Sequence, residues 1–158
     1  MYIDNLIKEA TLEKNSAKKE AYRAIKAALL LNNSSKNPKS EGKMINVNIG
    51  TDTITLSELE ISIIKKEIQI REEQISMYDA NSRKDLADMY REQNKYLKEL
   101  LPPEISKEQI QESIYGFYPN GFTQKEMGKV IKAIKEIYPT ADGKLIAETV
   151  KENIHNEV

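Results

Sequence analysis

The chain contains 158 residues, of which 31% are charged and 39% are hydrophobic, an ordinary balance for one globular domain or two small ones. Its 24 basic and 25 acidic residues give a formal net charge of −1, which disfavours wholesale coating of a nucleic acid but allows a local basic face. The absence of cysteine excludes disulfides, thiolate zinc sites and cysteine nucleophiles.

The first residues do not have the pattern of a secretory signal. MYIDNLIKEA has neither a basic head nor an apolar run. The longest uninterrupted apolar stretch, AALLL at 27–31, is too short to span a bilayer. We therefore expect a cytoplasmic protein with no membrane partner.

Helical periodicity dominates the first 31 residues. One short apolar stripe is formed by Ile3, Leu6, Ile7 and Ala10. Ser16 is predicted to cap a second helix, which presents Tyr22, Ile25, Ala28 and Leu29 on one face. The second helix also carries a basic patch, which consists of Lys14, Lys18, Lys19, Arg23 and Lys26.

The segment 32–55 interrupts the helical pattern. Its first half is a polar loop with Pro38 and Gly42. Its second half alternates between apolar and polar residues around Gly50, which predicts a short β-hairpin near 44–55. An isolated two-stranded hairpin is marginal, so this one needs a surface on which to pack.

A long helix is predicted over 56–80, after a capping box formed by Thr55 and Glu58. Its apolar residues fall on two faces. One face has Ile61, Ile68 and Ile75, and the roughly opposite face has Leu56, Ile63, Ile70 and Met77. A helix that is apolar on two sides is either sandwiched between other elements or uses one side as a partner interface. Both alternatives stay open at this point.

A further helix follows Ser82 and ends at Pro102-Pro103, because proline cannot continue the helical hydrogen bonds. Beyond it, capping boxes at Ser106–Gln109 and Thr123–Glu126 open two shorter helices, and a last helix follows Asp142. We predict an all-α fold with a helical domain at 1–103, including the 32–55 insertion, and a three-helix domain at 104–158.

The sequence offers little material for catalysis. The single histidine, His155, lies near the end of the chain and is expected to be solvated. GFYPNG at 116–121 lacks the lysine and hydroxyl residues of a phosphate-binding loop and is predicted to be a turn. We predict no catalytic residues, no metal and no cofactor, and we favour a protein that is not an enzyme.

The most organised basic surface lies in KEMGKVIKAIKEIYPTADGK at 125–144. At about 100° per residue, Lys125, Lys129 and Lys132 fall opposite the apolar stripe, and Lys135 lies on its flank. Gly128 falls on the same flank, where it allows either close approach of a backbone or phosphate, or tight packing of a neighbouring helix. Asp142 is expected to cap the last helix, and the alternative is that Asp142 or the backbone of Gly143 contacts a ribose or phosphate.

Three stretches together resemble the GatB/YqeY family: DNLIKEATLEKNSAKKEAYRAIKAAL, SRKDLADMYREQNKYLKELLP and KEMGKVIKAIKEIYPTADGK. The resemblance extends over almost the whole chain apart from the last few residues and 33–54, where family members usually have a shorter connection. Glu126 also stands where the family usually has aspartate. The resemblance implies an all-helical first domain and a C-terminal domain similar to the tail of the GatB subunit of the tRNA-dependent amidotransferase.

In that amidotransferase the tail helps to hold tRNA, while a larger core that this chain lacks activates the mischarged amino acid. The resemblance therefore implies a link to glutamine-dependent carbon–nitrogen ligase activity without the parts that perform the reaction. It also implies that tRNA contacts Lys125, Gly128, Lys129, Lys132, Gly143 and Lys144.

Two functions remain in competition. The first is a non-catalytic adaptor that binds tRNA or another structured RNA. The second is a protein–protein interaction or assembly subunit, for instance of a phage complex, or a homo-oligomer. It would use the two-faced helix 56–80 with Leu56, Ile63, Ile70 and Met77, together with the 32–55 insertion.

Overall fold

The computed structural model of the protein describes residues 2–139 and 141–154. The predicted all-α fold class is confirmed, since 68% of the structure is helical and its only sheet within the described residues is a two-stranded antiparallel hairpin. The elements in chain order are α1 (Tyr2–Leu12), α2 (Ser16–Asn33), β1 (Met44–Ile49), β2 (Asp52–Ser57), α3 (Glu58–Ala80), α4 (Lys84–Glu99), α5 (Lys107–Phe117), a 3₁₀ turn (Gln124–Glu126), α6 (Met127–Ile137) and α7 (Gly143–Glu152).

The chain divides into two compact units, Met1–Pro102 and Pro103–Val158. Each unit has its own apolar core. The first core joins side chains from α1 to α4 with those of the hairpin, and the second joins side chains from α5, α6 and α7 with Phe122. Such burial of apolar surface is the main source of stability for each unit.

Helix α2 begins with a different cap from the one predicted. The N-cap is Asn15, whose side-chain oxygen accepts a hydrogen bond from the Lys18 amide at 3.1 Å, and Ser16 is already the first helical residue. Asn15 also donates from Nδ2 to the Tyr96 hydroxyl at 2.9 Å. This contact with α4 is long-range, so local sequence could not reveal why asparagine, and not the adjacent serine, caps the helix.

The predicted hairpin is present and packs on the core of the first unit. Its register pairs Val47 with Ile54 and Ile45 with Leu56, and Gly50 adopts a positive φ of 60° in the turn. Val47, Ile54 and Leu56 are buried in the same cluster as the helices. The pairing continues to Ser57, so Leu56 is a strand residue, and it is only 3% exposed. Leu56 therefore does not lie on a free helical face.

This pairing also displaces the start of α3. The capping box consists of Ser57 and Glu60, with hydrogen bonds of 3.1 Å in both directions, and does not involve Thr55 and Glu58 as predicted. The Thr55 hydroxyl instead donates across the hairpin to Asn46 Oδ1 at 3.0 Å. A hydroxyl held in a strand pair cannot cap a helix, so α3 begins two residues later than predicted.

The two apolar faces of α3 have different environments. Ile61 and Ile68 are buried, as expected for a core face. On the other face Ile63 packs partly against the core, but Ile70 is 38% exposed and Met77 is 50% exposed. Helix α3 is therefore covered on both sides near its start. The face that carries Ile63, Ile70 and Met77 becomes exposed towards the end of the helix.

A buried polar layer joins α3 to α4. The Arg71 side chain, 7% exposed, donates from Nε to Gln93 Oε1 at 3.0 Å and from one terminal nitrogen to Glu67 Oε2 at 2.7 Å. The guanidinium is thus paired and hydrogen-bonded, as a buried charge requires. Such a layer favours one register of the two helices over others.

Candidate nucleic-acid interface

Helix α6 does not begin with the capping box predicted from Thr123 and Glu126. The chain enters through the 3₁₀ turn Gln124–Glu126, in which the Glu126 amide donates to the Thr123 carbonyl at 3.0 Å. The Thr123 hydroxyl donates to Glu126 Oε1 at 3.4 Å and makes no capping bond to a backbone amide. The α-helix therefore starts only at Met127, and Lys125 belongs to the turn before it.

The core side of α6 fixes which side faces outward. Val130 and Ile134 are fully buried against apolar residues of α5 and α7. At the C-terminal end of α6, the Tyr138 hydroxyl and Ser113 of α5 are joined by a 2.8 Å hydrogen bond. With Val130 and Ile134 held inward, residues about 180° away on the helix must face solvent.

We define the lysine face as Lys125, Lys129 and Lys132, all of which are exposed. None of these lysines forms an ion pair with a carboxylate in the described parts of the chain, and Glu136, which shares this side of α6, does not pair with them either. The ion pair seen in this unit joins Lys107 and Glu152 instead. The positive charges of the lysine face are therefore available to an external anion.

Gly128 lies beside this face with its backbone uncovered. Apart from its chain neighbours and the backbone of its own helix, a side-chain carbon built on Gly128 would meet no described atom within 4 Å. Tight packing of a neighbouring helix, one of the two explanations considered for this glycine, is therefore wrong within residues 2–139 and 141–154. The open backbone agrees with the other explanation, which is close approach of a group from outside the chain.

The start of α7 lies next to α6. Asp142 is the N-cap and accepts a hydrogen bond from the Lys144 amide at 3.0 Å, which confirms its expected capping role. A side-chain carbon built on Gly143 would lie 3.7 Å from both Cε and Nζ of Lys135. The Lys135 side chain of α6 therefore lies beside the first turn of α7, although Lys135 was not among the predicted contact residues.

The predicted contact residues thus belong to two adjacent pieces of the same unit. Lys125, Gly128, Lys129 and Lys132 lie in and just before α6, while Gly143 and Lys144 form the first turn of α7. The signal that could have identified Lys135 was its position one turn after Lys132. Its proximity to Gly143 depends on how α6 and α7 pack, which periodicity does not give.

Three other predictions concern the histidine, metal binding and the membrane. His155 lies outside the described residues. In the described part of the chain, no cluster of three or more histidine, aspartate or glutamate side chains is arranged to hold a metal ion. None of the helices described is both long enough and apolar enough to cross a membrane.

The comparison with protein families covers almost the whole chain. The family model described as Yqey-like protein matches residues 2–154, across both units. No curated protein matches the chain.

Proposed function

The chain belongs to the Yqey-like protein family, and from that premise we propose that it is a non-catalytic adaptor that binds tRNA or another structured RNA. The resemblance of its second unit to the tail of the amidotransferase GatB subunit supports the choice of tRNA. The lysine face would contact the RNA, together with Gly128, Lys135, Gly143 and Lys144.

The observation that carries this proposal is the combination of exposed, unpaired lysines with an uncovered glycine on one side of α6. Lys129 and Lys132 are one turn apart and form no ion pair with any described carboxylate. Lysine ammonium groups bind phosphates as point charges, without reading bases. Folded RNA is recognised largely through its shape, phosphates and 2′-hydroxyls, so such a surface suits it.

Gly128 gives the surface a second property. Because nothing in the described chain fills the space above its backbone, an RNA backbone can approach the helix more closely there than over any other residue type. A helical glycine costs about 1 kcal/mol relative to alanine. Close approach of RNA would offset that cost in the complex.

The test is fluorescence anisotropy of labelled bulk tRNA titrated with the full chain at several salt concentrations. We expect micromolar or tighter binding at low salt. The logarithm of the affinity should fall against the logarithm of salt with a slope of roughly two to four, corresponding to a few phosphate contacts. Absence of binding at low salt would remove tRNA as the ligand of the isolated chain.

A second candidate function is supported by the exposed end of α3. Ile70 and Met77 are 38% and 50% exposed, and Met89 on α4 is 42% exposed. Exposed apolar side chains on one helical hairpin suit a protein–protein or homo-oligomeric contact. Leu56, which is buried in β2, is not part of this candidate surface.

Light scattering on the purified chain tests this second function. A homo-oligomer should dissociate when Met77 is replaced by lysine, because a charge would then lie in the interface. The matched control is Leu30→Lys, since Leu30 is similarly exposed, at 51%, but lies on α2, outside both helix 56–80 and the 32–55 insertion. A monomer in both the wild type and Met77→Lys would exclude the homo-oligomer.

A further inference from the structure

The first strand of the hairpin has an unpaired edge. Its register with β2 runs continuously from Ile49–Asp52 onward, without a bulge. The pair beside a two-residue turn exchanges backbone hydrogen bonds, and such pairs alternate along the strands with pairs that do not. The N–H and C=O groups of Asn46 and Asn48 therefore point away from β2. No backbone hydrogen bond from the described part of the chain reaches them from that side.

This edge lacks the features that usually protect an edge strand from pairing. The strand Met44–Ile49 contains no charged residue and no proline. Asn46 and Asn48 are both exposed. The β2 edge differs, because β2 begins with the charged Asp52 and ends at Ser57, which is 1% exposed. The β1 edge is therefore the one that is open to another strand.

The sequence of β1 is suited to pairing with itself. Residues 45–49 read INVNI, which is the same in both directions. In an antiparallel pair with a two-fold axis at Val47, each asparagine faces an asparagine of the second copy, and Ile45 faces Ile49. A contact across a two-fold axis requires this kind of self-complementarity. The open, uncharged and palindromic strand therefore favours a second copy of this chain as its partner.

The outer face of the hairpin agrees with such a pair. Thr55 donates to Asn46 Oδ1 and Thr53 donates to Asn48 Oδ1, both at 3.0 Å. A side-chain amide can accept a second hydrogen bond at its oxygen and can donate two from its nitrogen. Pairing about Val47 brings Asn46 next to Asn48 of the second copy, so that their amides can bond to each other. A row of threonine, asparagine, asparagine and threonine would then cross the whole sheet.

The inner face agrees as well. Ile45 and Ile49 are half-buried and pack against the core of the first unit, so a strand added at this edge would cover more of their apolar surface. From these features we propose that two copies of the chain associate through β1 and form one four-stranded antiparallel sheet. This contact uses a different surface from the exposed end of α3 and does not depend on RNA binding.

The primary test is light scattering on the full chain with charges introduced at the contact. The wild type should dimerise at chain concentrations on the order of 100 μM, since pairing of one short strand makes a small interface. Asn46→Lys with Asn48→Lys should weaken the dimer about tenfold or more, because each lysine then faces a lysine. The matched control is Thr53→Lys with Thr55→Lys, which adds the same charge to exposed positions of β2 and should dimerise like the wild type.

A charge swap tests the register and shows that the variants fold. Asn46→Lys with Asn48→Glu changes the same two positions but places opposite charges across the axis, so this variant should dimerise. Asn46→Glu with Asn48→Glu should be monomeric alone, yet it should form a heterodimer when mixed with the chain that carries both lysines. Recovery of the dimer would show that the losses come from repulsion across the axis and not from unfolding.

The inference is overturned if the wild type stays monomeric at this concentration, if the lysine pairs on β1 and β2 weaken the dimer equally, or if the charge swap fails to restore it. Met77→Lys separates this contact from the exposed end of α3. A dimer through β1 should tolerate Met77→Lys, and a dimer that dissociates in Met77→Lys alone would refute the β1 contact. Lys129→Glu with Lys132→Glu should also leave the dimer intact, so the result is distinguishable from any failure of the RNA proposal.

Discussion

Helices α2 and α6 both carry a cluster of lysines, but the two clusters have different surroundings. In the basic patch of α2, Lys18 pairs with Glu13 at 3.1 Å, Arg23 with Glu20 at 3.8 Å and Lys26 with Asp4 at 2.6 Å. The lysines of α6 have no such partners among the described carboxylates. Three of the five cations of the α2 patch are therefore engaged by carboxylates, whereas those of the lysine face are not.

The Asp4–Lys26 pair shows why the sequence did not separate the two helices. Asp4 belongs to α1, and it meets Lys26 because α1 and α2 pack as neighbours. Its hydrogen bond from Lys26 holds the pKa of the Asp4 carboxyl below its ordinary value. A partner supplied by a different helix is invisible in the charge pattern of α2 alone.

The largest expected effect is on tRNA affinity when the charge of each cluster is reversed. We expect Lys129→Glu with Lys132→Glu to weaken tRNA binding about 100-fold at low salt, which is about 2.7 kcal/mol, because two phosphate contacts become repulsive. The measurement is tRNA anisotropy at a fixed low salt concentration.

The matched variant is Lys14→Glu with Lys19→Glu, which makes the same change in net charge on the α2 patch. These two residues are the cations of that patch that form no ion pair with a described carboxylate. Its affinity should stay within about threefold of the wild type, because exposed charges outside the contact surface are largely screened. Equal losses in the two double variants would show that binding follows net charge, and the distinction between α2 and α6 would fail.

The next effect concerns Gly128, which has no counterpart in α2. Gly128→Ala should raise the free energy of unfolding by about 0.5–1 kcal/mol, because alanine favours the helix and the added carbon meets nothing within 4 Å. It should weaken tRNA binding roughly fivefold by holding the RNA backbone away from α6. Urea denaturation and anisotropy on the same sample give both values, and unchanged affinity would remove Gly128 from the interface.

A third prediction separates capping from binding at the start of α7. Asp142→Ala should lower the free energy of unfolding by about 1 kcal/mol, because the Lys144 amide loses its acceptor. The affinity for tRNA should not fall, because the carboxylate that the substitution removes would repel the phosphates of the RNA. Asp142→Asn serves as the control, because it keeps an acceptor at the cap. A loss of affinity in both variants would make Asp142 a contact residue.

The smallest expected effect concerns the ion pair between Lys26 of the α2 patch and Asp4 of α1. Lys26→Met should raise the pKa of Asp4 towards its ordinary value, since the hydrogen bond from Lys26 is the main cause of the lowering. The lowered pKa adds stability above the unfolded-state pKa, and this is lost as pH falls through the folded-state value. Carboxyl NMR titration measures the shift. An Asp4 pKa equal in wild type and variant would contradict the pairing.

Much of this architecture could be read from local sequence. Apolar periodicity identified the helices, and the Ser106–Gln109 capping box is formed as predicted. The alternation near Gly50 identified the hairpin. The errors occurred where a polar side chain had two possible partners, as at Thr55, which bonds across the strand and not to a helix amide. Such choices depend on which element packs alongside, and a local pattern contains no information about that.

The same distinction between local pattern and tertiary contact applies to the candidate sites. By itself the sequence determined which residues are helical, which side of α6 is apolar and where the lysines stand, because these follow from a fixed rotation per residue. Only the tertiary structure decided which charges are paired, that Leu56 is buried and that Gly128 is open. It alone left the buried Oδ1 of Asn94 without a donor in the described part of the chain. Pairing and exposure are properties of contacts between distant segments, and only folding creates those contacts.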